Sequence, residues 1–201
     1  IAISQEVAKR ISKFYRKEAN VVYPPIEIQE SRGKNLESSK REDYYLMISR
    51  IVGGKGILEA SRAFKKLGLK LKIVGEVVDT KLADQVESLG RVHDSELAEL
   101  YANAAGFVAL AQDEDFGMTV VESMTYGTPV LAYKGGGYLE TVISGKTGIF
   151  VEGAGVKEIG EGIKQMEKIR WDPKIIKKWA GQFGRDRFER EIREIIKPLH
   201  H

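Results

Sequence analysis

The chain has 201 residues, 42% of them hydrophobic and 30% charged, with a net charge of +3. That is enough for one large or two small domains, at about 150 residues per domain, and for a sizeable core. So small a charge, with no concentrated basic face, argues against a nucleic-acid partner. The chain has no cysteine, which excludes disulfides and thiolate metal sites. Only His93 is an internal histidine; His200 and His201 read as the start of a purification tag, so no zinc cluster is expected. No apolar run approaches the roughly 20 residues of a transmembrane helix. No signal peptide is visible, so a cytoplasmic protein is expected, with its true N-terminus upstream of Ile1.

Residues 4–17 read as a helix, with Ser4 as N-cap and Val7, Ile11, Phe14 and Tyr15 on one face. Residues 20–23 read as a short strand ended by Pro24 and Pro25. Residues 26–43 are polar, charged and rich in Gly and Ser, as in a linker or mobile loop. A regular alternation begins at Tyr44. Strand 44–48 leads to helix 54–67, with Ile57, Ala60, Ala63, Phe64 and Leu67 inward, and then to strand 71–74, closed by Gly75. A short helix over 79–85, a weak strand over 86–89 and a helix capped by Asp94 follow. The last runs to Asn103, with Leu97, Leu100 and Tyr101 inward.

Strand 106–110 precedes the stretch that carries the chemistry, residues 114–137. A helix is expected to start at Phe116-Gly117 and to stop at Gly127-Thr128-Pro129, ahead of a buried strand over 130–133. Glu114 and Glu122, with seven residues between them, bracket the helix start. A helix N-terminus offers free N–H groups and partial positive charge to an anion. Gly117 removes bulk where a phosphate or sugar would approach. An acid at each end of such a cradle suits a sugar nucleotide; a capped helix with two surface carboxylates is the equal alternative. A short helix over 138–143, a strand over 148–151 and helices over 156–168, 173–180 and 185–196 complete the chain.

Alternating strands and helices imply βαβ units: an α/β, Rossmann-like parallel sheet with helices on both faces. Ligands of such sheets bind at the carboxyl ends of the strands. The loops 49–55, 75–78, 91–94, 111–118 and 134–138 should share that edge. Two familiar phosphate loops just miss. A P-loop ending at Gly145-Lys146-Thr147 would need glycine at Glu140, and a dinucleotide fingerprint from Gly54 would need it at Glu59. A nucleoside triphosphatase or nicotinamide enzyme is therefore not expected. Arg50 and Lys55, flanking Gly53-Gly54 after the first strand, offer another phosphate grip, unless they are two solvated cations on a turn.

With these residues in hand, the chain resembles the C-terminal half of a retaining glycosyltransferase of the GT-B fold, family 4. Ser49-Arg50 through Gly53-Gly54-Lys55-Gly56 is similar to the family's GR…KG loop, and Ile73-Val74-Gly75-Glu76 to its second-strand glycine turn. Gly90 to Asp94 with Glu96, Leu97, Leu100 and Tyr101 matches its next segment. Glu114 to Glu122 matches its acid signature; Gly127 to Val130, Gly136 to Glu140 and Gly145 to Gly148 continue the block. Ser49 stands where the family usually has Gly, Glu76-Val77-Val78 lacks a second glycine, and the segment from Gly75 to Arg91 is shortened.

The resemblance implies roles. Arg50 and Lys55 would bind the donor diphosphate beside Gly54 and Gly75. Glu114 would hold the transferred sugar. Phe116, Gly117, Met118 and Thr119 would offer backbone donors. Glu122 would hold the ribose, and Val92 and His93 would meet the base. No metal or other cofactor is expected, because the nucleotide sugar is a substrate and cations with a helix end stabilise its leaving diphosphate. Residues 1–28 would be a remnant of an N-terminal domain with its linker, and 29–201 the donor domain. Glu114-Asp115-Phe116-Gly117, Tyr23-Pro24-Pro25 and Gly135-Gly136-Gly137 look most like mannosyltransferases that use GDP-mannose. A UDP- or ADP-sugar enzyme and a non-catalytic sugar-nucleotide module are the alternatives. The expected partners are the donor, the N-terminal domain of the same enzyme and a glycan or lipid-linked acceptor, with peripheral contact at the inner face of a membrane. The fragment alone should transfer nothing.

Overall fold

The computed structural model describes residues 1–27 and 41–197. The expected linker over 26–43, the domain boundary after residue 28 and the terminal histidine pair fall wholly or largely outside them. The sheet has five parallel strands: β1 (Tyr45–Ile48), β2 (Leu71–Val74), β3 (Gly106–Ala109), β4 (Val130–Tyr133) and β5 (Gly148–Val151). Their spatial order is β2-β1-β3-β4-β5. The doubly wound α/β expectation holds.

The helices are α1 (Gln5–Tyr15), α2 (Ile57–Leu67), α3 (Thr80–Ala83), α4 (Asp94–Asn103), α5 (Met118–Thr125), α6 (Tyr138–Thr141), α7 (Val156–Lys168), α8 (Pro173–Ala180) and α9 (Arg185–Ile196). Side chains alternate across the strands and so divide the core in two. Tyr45, Met47, Val108, Leu131, Ile149 and Val151 pack beneath α2 and α7. Leu46, Phe107, Ala109, Val130 and Ala132 pack beneath α4, α5 and α8. Both faces of the sheet are covered, as a parallel sheet requires.

Several boundaries differ from expectation. Residues 20–23 form no sheet strand; only Val21 pairs, with Ala2. Residues 86–89 likewise contribute one bridge, Ser88 to Ile73. Val21, Val22 and Tyr23 are β-prone, but their segment meets Ala2 and not the sheet, while residues 86–89 touch β2 at one position only. Asp94 is the first residue of α4 and not its cap; His93 is the cap and makes no side-chain bond there. Asp94 still favours the helix by facing the positive end of its dipole. The helices expected from residues 54 and 116–117 begin later, at Ile57 and Met118, each after a glycine in the left-handed conformation.

Residues 1–27 pack onto this body. Ser4 caps α1 through Val7 N–H, as expected. Tyr23 stacks on Phe116 with ring centroids 5.5 Å apart, and the Ile26 N–H donates to the Phe183 carbonyl at 2.8 Å. The outer face of α1 finds no cover among the described residues: Phe14 and Tyr15 are exposed.

Candidate active site

The strand order reverses between β1 and β3, and ligands of open parallel sheets bind where it does. The register sharpens this. β1 and β3 pair only through Tyr45 with Gly106 and Leu46 with Phe107. Beyond those residues no bridge joins the two strands, and the loops that leave their carboxyl ends form the two walls of the switch-point cleft.

The first wall of the cleft follows β1. Buried Ile51 pins this loop to the one after β2: its N–H donates to Glu76, and its carbonyl accepts from Val78 and Asp79. Gly75 permits the close approach, since a Cβ there would overlap the Ser49 carbonyl. Gly54 adopts φ +81 in open space, a conformation glycine tolerates and other residues resist. Arg50 is exposed and forms no ion pair among the described residues. Lys55 reaches across the cleft, and its Nζ lies 3.3 Å from Glu114 Oε2.

The second wall follows β3. Phe116 is an anchor, buried between Tyr23 and Phe183; only its backbone faces the role expected of it. Gly117, at φ +89, turns the chain into α5, and a Cβ there would lie 2.9 Å from the Tyr138 ring. No side chain caps α5. Val120 and Val121 donate back to Gly117, while the N–H groups of Met118 and Thr119 have no acceptor among the described residues. This is an open, positively polarised helix end. The loop after β4 closes underneath: the Gly137 N–H donates to the Glu114 carbonyl at 2.8 Å, and Cβ atoms on Gly136 and Gly137 would overlap Glu114 and Phe116.

Glu122 sits one turn inside α5, which starts at Met118 after the non-helical residues 114–117. Its Oε2 accepts from the Tyr101 hydroxyl at 2.8 Å. Val92 is half-buried and His93 exposed. The segment carrying them is drawn to the edge by the Gly75 N–H, which donates to the Gly90 carbonyl at 2.9 Å. No hydrogen bond or ion pair joins either residue to Lys55, Glu114 or Glu122 among the described residues. The structure thus joins Lys55 with Glu114 directly and places the other named residues along one sheet edge.

Four contributors escaped the sequence reading. Tyr101 holds Glu122. Tyr138 lies buried under the Glu114 loop; burial and then the Glu114 carboxylate push its phenol far up. Arg10 of α1 donates to Asp115 at 2.9 Å and lies 3.9 Å from Asp113, so it braces both sides of Glu114. Glu140 accepts from the Gln5 and Glu6 N–H groups and so caps α1. A buried tyrosine hydroxyl needs a partner, which was the one signal available for Tyr101 and Tyr138.

Among the described residues no three His, Asp or Glu side chains gather as metal ligands, and no helix is long and apolar enough to cross a membrane. A groove of about 770 Å³ between residues 25–27 and α9 shares no residue with this edge.

The family described as "Glycosyl transferases group 1" matches residues 28–182, and the chain belongs to it. An uncharacterised glycosyltransferase of Methanocaldococcus jannaschii is 27% identical over 179 residues, covering 83% of this chain and 48% of that protein. A lipopolysaccharide core biosynthesis mannosyltransferase of Rhizobium leguminosarum is 35% identical over 80 residues, or 40% of this chain and 22% of that protein. Among solved structures, Anabaena HepE in complex with UDP superposes with a TM-score of 0.78 at 20% identity, covering 98% of this chain and 63% of that one. That match shows the fold. The chain spans about half the length of the Methanocaldococcus relative.

Proposed function

We propose that this chain is the donor-binding half of a retaining glycosyltransferase that takes a nucleotide sugar, GDP-mannose by preference, and passes the sugar to a glycan or lipid-linked acceptor. One observation carries the reading. A cation and an acid from the two walls of the switch-point cleft, Lys55 and Glu114, meet at 3.3 Å beside an uncapped helix end. That arrangement presents positive charge and hydroxyl acceptors side by side, as a sugar diphosphate demands.

In this reading Arg50, Lys55 and the Met118 and Thr119 N–H groups take the diphosphate, with no metal ion required. Glu114 accepts from the sugar hydroxyls, Glu122 from the ribose, and the backbone at Val92 and His93 meets the base. As the bond from the sugar to phosphate breaks, negative charge grows on the phosphate oxygens. The two cations and the helix dipole gain most at that moment, which is what lowers a barrier. Attack by the acceptor on the face the diphosphate leaves gives retention. An N-terminal domain of the same enzyme closes the cleft and supplies the acceptor side, so this chain alone binds donor weakly and transfers nothing. The whole enzyme works in the cytoplasm, peripheral to the inner face of the membrane.

The motifs at Glu114, Tyr23 and Gly135 and the Rhizobium mannosyltransferase relative favour mannose. The HepE complex favours UDP as the second reading. Calorimetry with GDP, UDP, ADP and GDP-mannose decides: binding of GDP and GDP-mannose is expected, and UDP binding alone would overturn the mannose donor. Failure of every nucleotide to bind a folded chain would overturn the donor site. Sugar transfer once the chain is joined to its N-terminal half separates the enzyme from a non-catalytic sensing module.

A further inference from the structure

Glu122 has no Lys or Arg ion pair among the described residues, and there the hydrogen bond to its carboxylate comes from Tyr101. Tyr101 Oη donates to Oε2 at 2.8 Å from the facing side of α4. Tyr101 is itself fixed. It is only 3% exposed, its ring stacks on Tyr126 at 5.4 Å and 12°, and it leans on Phe107 at 5.8 Å. Its backbone carbonyl accepts the Thr128 hydroxyl at 2.6 Å. A ring clamped on two sides, with its backbone tied, cannot move its hydroxyl away.

We propose that Tyr101 is a positioning residue for Glu122: by occupying Oε2 it aims Oε1 at the vicinal hydroxyls of the donor's ribose. The inference rests on the donor-site reading above. A glutamate has several rotatable bonds, and holding it still before the ligand arrives removes an ordering cost from the binding step. Burial, and then the Glu122 charge, raise the Tyr101 phenol well above its ordinary value, so it remains a donor at any pH where the protein works.

The test uses Tyr101→Phe, which removes the hydroxyl and keeps the ring, with thermal unfolding as a check on the fold. Calorimetry compares whichever of GDP, UDP and ADP the wild type binds with its 2′,3′-dideoxy analogue. The variant is expected to lose about tenfold in affinity for the ribonucleotide and nothing for the dideoxy form, the size of a hydrogen bond to a charged group. 4-Aminophenylalanine in place of Tyr101, which restores a donor, should recover the preference. A wild-type preference that survives in Tyr101→Phe, or an equal loss for both ligands, overturns the inference and leaves the donor site standing. A wild type that binds no nucleotide, or binds without preference for the ribose, overturns the donor reading or the role of Glu122, and the inference falls with it.

Discussion

Lys55 and Glu114 stand 59 residues apart in the chain and 3.3 Å apart in the structure, joining the loops after β1 and β3. Both side chains are about a quarter to a third exposed, so the pair contributes little to stability. Its effect falls on the ligand. Lys55→Ala should weaken nucleoside diphosphate binding by about 2 kcal/mol, as for a hydrogen bond to a charged group, or roughly 30-fold in Kd. A bare nucleoside, lacking phosphate, should bind the variant and the wild type alike. Calorimetry with both ligands checks this; equal losses would remove Lys55 from the phosphate subsite.

Gly137 is where the loops after β3 and β4 touch. A Cβ at this position would overlap the Phe116 backbone, and backbone cannot swing aside as a side chain does. Gly137→Ala should therefore cost about 2 kcal/mol of stability, the usual scale of overpacking, and reduce nucleotide affinity by displacing Glu114. Gly181, with open space around it and no positive φ, is the control: Gly181→Ala should stay within about 0.5 kcal/mol. Urea unfolding of the two variants reads the difference, and matched midpoints would refute the packing argument.

Arg41 does its work at the other edge of the sheet. Its guanidinium donates to the carbonyls of Ala102, Ala104 and Gly127 and to the Thr128 hydroxyl, at 2.6 to 3.3 Å. These groups close α4 and the turn after α5, so one fork ties the ends that lead into β3 and β4. Burial pulls its pKa down, yet no carboxylate pairs with it among the described residues; the negative ends of the helix dipoles take that part. Arg41→Ala strands four acceptors and should cost about 3 kcal/mol. Arg41→Lys should recover only part, because an ammonium cannot reproduce the fork. Nucleotide affinity should move far less than stability in both, because Arg41 meets the site only through Thr128, whose hydroxyl donates to the Tyr101 carbonyl. A loss of affinity at full stability would show that Arg41 acts on the site after all.

How much of this could be read in advance depended on how local the cause is. Residues 71–74, 130–133 and 148–151 are short, mostly apolar runs with a Gly or Pro at one end, and the helices over 156–168, 173–180 and 185–196 repeat at helical spacing; all six have the bounds expected of them. Residues 20–23 share part of that composition and residues 86–89 little of it, and each makes only one bridge. The named site residues came from motif order, which fixes them to one edge without saying which touch. Contacts between distant residues left no trace: Glu140 caps α1 from 135 residues away, and Tyr101 reaches Glu122 across 21. Spacing within an element cannot encode a meeting between elements.

Tyr45 gives the fold a built-in alkaline limit. It lies on β1, 6% exposed, with its ring edge-on to Phe64 at 5.2 Å. Burial, and then the charges of Glu167 and Asp43, push its phenol up to about 12 from the ordinary 10.0. The folded chain therefore holds this proton where the unfolded chain has released it. The stability it confers is fully present below about pH 10 and is lost as pH rises from there through about 12, amounting to something on the order of 3 kcal/mol. Tyr44, also pushed up to about 12 by burial and then Glu42, adds to the same window. Tyr45→Phe keeps the ring and removes the proton, so its urea midpoint should fall less steeply than the wild type's between about pH 9.5 and 11.5, by a minor share of the slope, because burial also raises Tyr44, Tyr101, Tyr138, Tyr23 and Tyr126. Parallel curves for the two proteins would show that Tyr45 ionises as freely in the folded chain as in the unfolded one.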